Sequence, residues 1–194
     1  MSKVKFGLCN VHYAKMIRGE DGSISYSTPV HIPGAVNLSL DPQGEESPFY
    51  ADNTKYYNDF ANNGYSGDLE MAKIPDAFKH EILGQKIDDN GALIESSDDV
   101  TAHFAFMFEV EGDENKTRVV FYNCVASRPK TEASTTNETK EPKTDTITLT
   151  ISPRDTDKKV RASLEKNEKN KIIFEQFYKS VYEETKIPEV PDSI

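Results

Sequence analysis

The stretch FAFMFEVEGDENKTRVVFYNCVA, residues 104–126, decides the fold. Phe104, Phe106 and Phe108 are spaced two residues apart, which is the period of a β-strand. The polar EGDENK that follows indicates a turn, and residues 117–126 form a second run of strand type. The two runs are predicted to form a β-hairpin. The second run is apolar on both sides, so we expect both of its faces to be covered by other parts of the chain.

Three further segments alternate between apolar and polar residues, at about residues 36–41, 68–71 and 146–151. Each is predicted to be a strand with one buried face and one wet face. The apolar sets are Val36, Leu38 and Leu40; Leu69 and Met71; and Ile147, Leu149 and Ile151. The polar sets are Asn37, Ser39 and Asp41; Asp68 and Glu70; and Thr146, Thr148 and Thr150.

Helical signals are few. Pro75 begins and Gly84 ends a segment in which Phe78 and Ile82 lie one turn apart, which predicts a short helix over 75–83. Near the C-terminus, apolar residues recur at helical spacing from Ile173 to 182, which predicts an amphipathic segment that needs a partner surface. The dipeptide at 90–91, Asn-Gly, is typical of a tight hairpin turn.

The predicted fold class is mainly β: an antiparallel β-sandwich or split barrel with one short flanking helix, long loops and terminal arms. The chain of 194 residues is long enough for one domain, which we place over 1–194. Within it we expect an N-terminal arm at about 1–14 and a C-terminal helical arm at about 171–194. Irregular loops are expected at about 15–33, 41–64 and 128–145, and three such loops suggest that neighbouring chains order them.

Composition limits the classes of function. The net charge of −10 argues against a nucleic-acid ligand, because phosphate binding needs clustered Lys and Arg. The start MSKVKFGLCN lacks the apolar core of a signal peptide, and no run is long enough to span a membrane, so we expect location in a cytoplasm without membrane insertion. The two cysteines, Cys9 and Cys124, are then expected to be buried thiols and not a disulfide.

No catalytic or metal-binding pattern stands out. The four histidines share no window with cysteines or carboxylates at zinc-ligand spacing, and neither a nucleophile motif nor a phosphate loop is present. Paired acids such as Asp88 and Asp89 lie in turn-like contexts, where they solvate the backbone. We therefore expect no cofactor, no metal, no catalytic residue and no enzymatic activity.

An aromatic cluster over 49–57 remains to be explained. It contains Phe49, Tyr50, Tyr56 and Tyr57, together with Asp52 and Lys55. Tyrosine and phenylalanine are enriched at the centres of protein interfaces, so we interpret the cluster as an inter-subunit interface. An alternative is a sugar-stacking platform on a glycan-binding β-sandwich that recognises a host.

Several longer motifs follow one another along the chain: GLCNVHYA at 7–14, LSLDPQGE at 38–45 with FYADN at 49–53, and FEVEGD at 108–113 leading to Ser-Arg-Pro at 127–129. In this order they resemble the major tail tube proteins of long-tailed, non-contractile bacteriophages of Gram-positive hosts. The resemblance covers almost the whole chain. It is a pattern of β-strands, so it implies an architecture more securely than the role of any one residue.

The resemblance implies a structural virion protein. Six copies would close into a ring, and rings would stack into a hollow tube that conducts the genome during ejection. Partners would be further copies of the chain, a tape-measure protein, a tail terminator and a distal tail protein, with DNA passing through unbound. A related ring protein that stops at a single ring is a structural variant of this reading.

On this reading the polar strand residues line the tube. These are Asn37, Ser39, Asp41, Asp68, Glu70, Thr146 and Thr148. The set contains no basic side chain, so it would not trap phosphate. The aromatic cluster would lie at the rim or lateral seam, where its rings are buried as anchors and Asp52 and Lys55 orient the contact.

Overall fold

The computed structural model describes residues 4–112, 114–131, 135 and 143–184. In that part of the chain the protein is mainly β, with antiparallel strands and two short helices, as the sequence predicted. The strands are β1 (Lys5–Arg18), β2 (Ile24–Tyr26), β3 (Val30–His31), β4 (Ala35–Gln43), β5 (Glu46–Ala51), β6 (Thr54–Phe60), β7 (Gly64–Met71), β8 (Lys86–Ile87), β9 (Leu93–Ile94), β10 (Phe104–Gly112), β11 (Thr117–Ala126), β12 (Asp145–Ile151) and β13 (Arg161–Glu165). The helices are α1 (Asp76–Glu81) and α2 (Lys171–Gln176).

The main sheet has nine strands, seven of which follow the order β2-β1-β10-β11-β12-β7-β4. The predicted hairpin is confirmed as β10 and β11, which lie at the centre. Two strands pair with the same edge of β11. Strand β13 pairs with Thr117–Phe121, and β12 pairs with Cys124–Ala126. The sheet therefore forks at β11, and β12, β7 and β4 diverge from β13. We call this point the fork.

Two apolar clusters cover the two faces of the central strands. The inner core joins Phe104, Phe106 and Phe121 to residues of β7, β12 and α1. The outer cluster joins Met107, Val120 and other small and apolar residues of β1, β10 and β11 to the C-terminal segment. Because neighbouring residues of β11 point into different clusters, the prediction that both of its faces are covered is confirmed.

Helix α1 closes one end of the inner core. It begins after Pro75 and is slightly shorter than the predicted 75–83, but Phe78 and Ile82 are fully buried as expected. Gly84 follows with φ of +79°, and a Cβ there would lie 2.6 Å from the carbonyl oxygen of Val100. A glycine is thus required by both conformation and space. The Asn-Gly turn at 90–91 joins β8 to β9, as predicted.

The predicted N-terminal arm and first loop are wrong over most of their length. Residues 5–18 form β1, which pairs with β10 inside the main sheet, and the segment 15–33 also contributes β2 and β3. Strand β1 has register shifts between Phe6 and Leu8 and between Cys9 and His12, where Gly7 and Asn10 have positive φ. These irregularities interrupt the alternation of residue types and hide the strand in the sequence.

The predicted irregular segment at 41–64 is also wrong. Strand β4 continues to Gln43, β5 and β6 form a separate two-stranded sheet, and β7 begins at Gly64. We call β5, β6 and their connecting turn the β5–β6 hairpin. By contrast, the described residues between β11 and β12 contain no regular structure, as predicted, while residues 132–134 and 136–142 of that loop lie outside the described part.

The C-terminal segment, residues 171–184, folds back onto its own subunit. Phe177 and Val181 enter the outer cluster, and Phe174 is also buried, whereas Ile173 is 42% exposed. The predicted apolar stripe is therefore confirmed for Phe177 and Val181 and wrong for Ile173. Residues 185–194 of the predicted C-terminal arm lie outside the described part.

Two arginines hold this segment in place. The guanidinium of Arg118 lies 4.0 Å from the ring centroid of Phe174 and donates to that residue's carbonyl oxygen. Arg154, which is 4% exposed, forms ion pairs of 2.5 Å with Glu183 and 2.6 Å with Asp157. Both contacts are made within one chain, so the segment is bound to its own subunit.

Glu109 is the buried carboxylate behind this arrangement. It is 1% exposed and accepts Arg118 Nε at 2.8 Å and Lys116 Nζ at 3.1 Å. Burial raises the pKa of Glu109, but the hydrogen bonds from Arg118 and Lys116 outweigh burial and leave the pKa below its usual value. The carboxylate thus stays ionised and orients Arg118 toward the C-terminal segment.

Candidate assembly surfaces

The polar residues of β4, β7 and β12 share one face of the sheet. The strand registers place them in three rows across the strands: Asn37, Glu70 and Thr146; Ser39, Asp68 and Thr148; and Asp41, Ser66 and Thr150. We call this set the polar sheet face. It unites all seven residues that the sequence analysis assigned to a tube lining, although they come from three distant segments.

Hydrogen bonds across the strands fix part of this face. The hydroxyl of Thr148 donates to Asp68 Oδ1 at 2.8 Å, and Thr144 donates to Glu70 Oε1 at 2.5 Å. The nine residues include three carboxylates and no basic side chain. The face is thus polar and anionic, and two of its carboxylates accept hydrogen bonds, one from Thr148 of β12 and one from Thr144 directly before that strand.

The opposite face of the same strands is apolar and buried. Leu69 and Met71 are almost fully buried, and Leu38 and Leu40 pack against the inner core. The predicted alternation is confirmed except at Val36, which is 51% exposed. A register shift between Ala35 and Asn37 removes Val36 from the pairing and turns it away from the core.

Strand β4 forms the end of the main sheet. On its inner side it pairs with β7, and within the described residues no strand pairs with its other side. Such an edge leaves backbone N–H and C=O groups available to a strand of another chain. The polar sheet face can therefore be extended through β4 without unfolding the subunit.

The β5–β6 hairpin is the second surface. Asp52 and Asn53 form its tip with φ of 49° and 58°, values that suit a two-residue turn. Phe49 pairs with Tyr57 and Tyr50 pairs with Lys55, so Tyr56 is an extra residue that forms a bulge. Asp52, for which we predicted an orienting role between subunits, also forms the turn of its own hairpin.

Aromatic rings cover this hairpin without entering either cluster. The exposed fractions are 65% for Tyr50, 75% for Tyr56, 60% for Tyr57 and 69% for Phe60. Lys55 forms an ion pair with Glu46 of the same hairpin. Exposed aromatic side chains in this number are typical of a surface that contacts another molecule. Tyr50, Tyr56 and Tyr57 are thus exposed on the hairpin together with Phe60, which was not predicted from the sequence, and the role of these residues in an interface stays a prediction.

An apolar groove beside the fork was not predicted from the sequence, and neither was the pairing of Arg118 and Arg154 with the C-terminal segment. A signal for the hairpin was present, because Asp-Asn lies between two aromatic runs. Arg154 and Glu183 are 29 residues apart, and no local pattern connects them.

Among the residues that the structure describes, no group of three His, Cys, Asp or Glu side chains is placed to hold a metal ion. Both cysteines are free, with Cys124 buried and Cys9 half-buried. No helix in the described ranges combines the length and the apolar character needed to cross a membrane.

Comparison with protein families decides the identity. The family model described as phage tail tube protein matches residues 2–185. The chain belongs to this phage tail tube protein family. Membership identifies a structural tail protein that assembles with other tail proteins in the phage virion. No curated protein matches the chain.

Proposed function

We propose that six copies of this tail tube protein close into a ring and that rings stack into a tube that conducts the genome during ejection. The observation that carries the proposal is the three-stranded sheet of β4, β7 and β12, with one buried apolar face, one polar face without a basic side chain, and an unpaired edge. Edge-to-edge pairing between copies would join six such sheets into one wall and remove the free edges.

In this arrangement the polar sheet face lines the lumen. Charges interact weakly beyond a Debye length of about 8 Å at physiological salt, so the carboxylates do not repel DNA across a wide bore. Their effect is at the wall, where the lack of Lys and Arg leaves no partner for phosphate. DNA then passes without specific binding.

The β5–β6 hairpin supplies a contact between copies, with its aromatic rings as anchors. Partners besides the chain itself are a tape-measure protein, around which the tube grows, a tail terminator and a distal tail protein. The subunit is held in the host cytoplasm before assembly. Within the assembly it has no catalytic role and inserts into no membrane.

Electron microscopy of the purified protein tests this proposal. Long hollow filaments with six-fold end views support it. Single rings select the variant that stops at one ring, and dispersed monomers that bind saccharides through the β5–β6 hairpin select the glycan-binding alternative.

A charge reversal tests the lumen assignment. Asp68→Lys introduces six cations per ring on the polar sheet face and is expected to leave tubes intact but slow DNA ejection, because each cation can hold phosphate. Glu175→Lys makes the same charge change at an exposed residue of α2 and serves as the control. Normal infectivity of phage carrying Asp68→Lys would show that this face is not lumenal or that its charge is unimportant.

A further inference from the structure

An apolar groove lies beside the fork. Because β12, β7 and β4 diverge from β13, the space between them is open, with a volume of about 220 Å³. Leu38 and Leu40 of β4 form one wall, and Phe108 and Phe121 form the floor. The groove is continuous with the inner core, since all four residues also contact that cluster.

The rim of the groove is basic. Arg161 of β13 lines it and lies opposite Phe121, with the guanidinium 5.9 Å from that ring. Lys158 lies beside Arg161 along an adjoining depression. In the described part of the chain, Arg161 forms no ion pair with a carboxylate. The groove thus combines an apolar floor with an unpaired cation at its edge.

The β5–β6 hairpin has the complementary character. The hairpin together with Glu45, which directly precedes it, contains four acids and one base, and the base, Lys55, is already paired with Glu46. Glu45, Asp52 and Asp59 therefore remain as net negative charge beside the exposed aromatic rings. An aromatic side chain offers about 150–250 Å² for burial, which an apolar groove can receive.

The hairpin does not fill the groove of its own subunit, because Tyr50, Tyr56 and Phe60 stay exposed while the groove stays open. When a protein carries a projecting surface at one place and the site that binds it at another, its copies associate head to tail. Such contacts build rings or filaments.

We infer that the groove at the fork receives the β5–β6 hairpin of a second copy of this chain, with its aromatic rings against Leu40 and Phe121 and its carboxylates beside Arg161. This inference rests on the proposed ring-and-tube function and names the partner surface of the hairpin. It also explains why Arg161 has no carboxylate partner among the residues that the structure describes.

Photo-crosslinking tests the contact directly. Tyr56 is replaced by p-benzoylphenylalanine in ¹⁵N-labelled chains, which are mixed with unlabelled full-length protein, assembled and irradiated. Links between labelled and unlabelled chains are expected from position 56 to peptides of β4, β10, β11 or β13. Links to residues 185–194, to any other surface, or only within one chain would overturn the inference.

Charge reversal supplies an independent measurement. Arg161→Glu is expected to raise the protein concentration needed for tube formation at least tenfold, while Lys171→Glu, an exposed change on α2, leaves it within twofold. Circular dichroism confirms that both variants are folded. Equal concentrations for the two variants would contradict the role of Arg161.

The same samples separate the two proposals. If electron microscopy shows tubes but the crosslinks map elsewhere, the groove assignment is overturned and the tube function stands. If the unmodified protein forms neither rings nor tubes, the proposed function fails and the groove assignment fails with it.

Discussion

Phe177→Ala is expected to destabilise the isolated subunit strongly. Phe177 is 2% exposed and packs in the outer cluster with Val120 and Tyr122. Removing a buried phenylalanine side chain costs about 3–5 kcal/mol, from lost burial and from the cavity that remains. For a chain of this size, that cost corresponds to a fall in melting temperature of about 6–20 °C.

The measurement is urea denaturation followed by circular dichroism, at concentrations where light scattering shows single subunits. Ile172→Ala is the control, because Ile172 lies in the same C-terminal segment but is 71% exposed. We expect this control to change the free energy of unfolding by less than about 0.5 kcal/mol.

The result also separates packing within the subunit from packing between subunits. Since the contacts lie within one chain, the loss for Phe177→Ala should not depend on protein concentration. A loss below about 1 kcal/mol for single subunits, or a loss that appears only on assembly, would refute the assignment of this segment to its own subunit.

The remaining predictions concern the buried carboxylate and the inner strands. Because the pKa of Glu109 is below its usual value in the folded state, its contribution to stability is complete above about pH 4.3 and is lost as the pH falls through the folded pKa. The stability difference between wild type and Glu109→Gln, measured by urea denaturation from pH 7 to pH 3, should therefore shrink in acid, and a constant difference would contradict this. Gly67→Ala should destabilise the subunit by about 1–3 kcal/mol, because the added Cβ would lie 1.9 Å from the carbonyl oxygen of Ser39 and would force β4 away from β7. Ser66→Ala is the control, and equal melting temperatures for the two variants would be incompatible with close pairing of these strands.

The sequence predicted those parts of the fold in which the apolar or polar character of each residue matches its burial. Strand β12 alternates between buried and exposed residues from Ile147 to Ile151, β7 has buried Leu69 and Met71 on either side of the less buried Glu70, and the helix near Phe78 has a proline before it and a glycine after it. In such segments local periodicity and burial agree, so one pattern is enough to identify the element.

Prediction failed where the pattern was interrupted or where the surface was not buried. Strand β1 changes register twice, which breaks its period of two. Strand β6 of the β5–β6 hairpin is exposed at every residue in the single subunit, so it shows no buried face from which alternation could be recognised. The groove at the fork could not be predicted, because Leu40, Phe108 and Arg161 are brought together only by long-range strand pairing.

The position of strand β11 between the two apolar clusters limits which substitutions the protein can accept. Along its middle, Val119 and Phe121 support the groove side while Val120 and Tyr122 support the C-terminal segment. A substitution that improves the fit on one side shifts the backbone that both sides share. The inner core and the outer cluster therefore share a few consecutive residues of β11. A substitution that adapts one cluster requires a compensating substitution in the other.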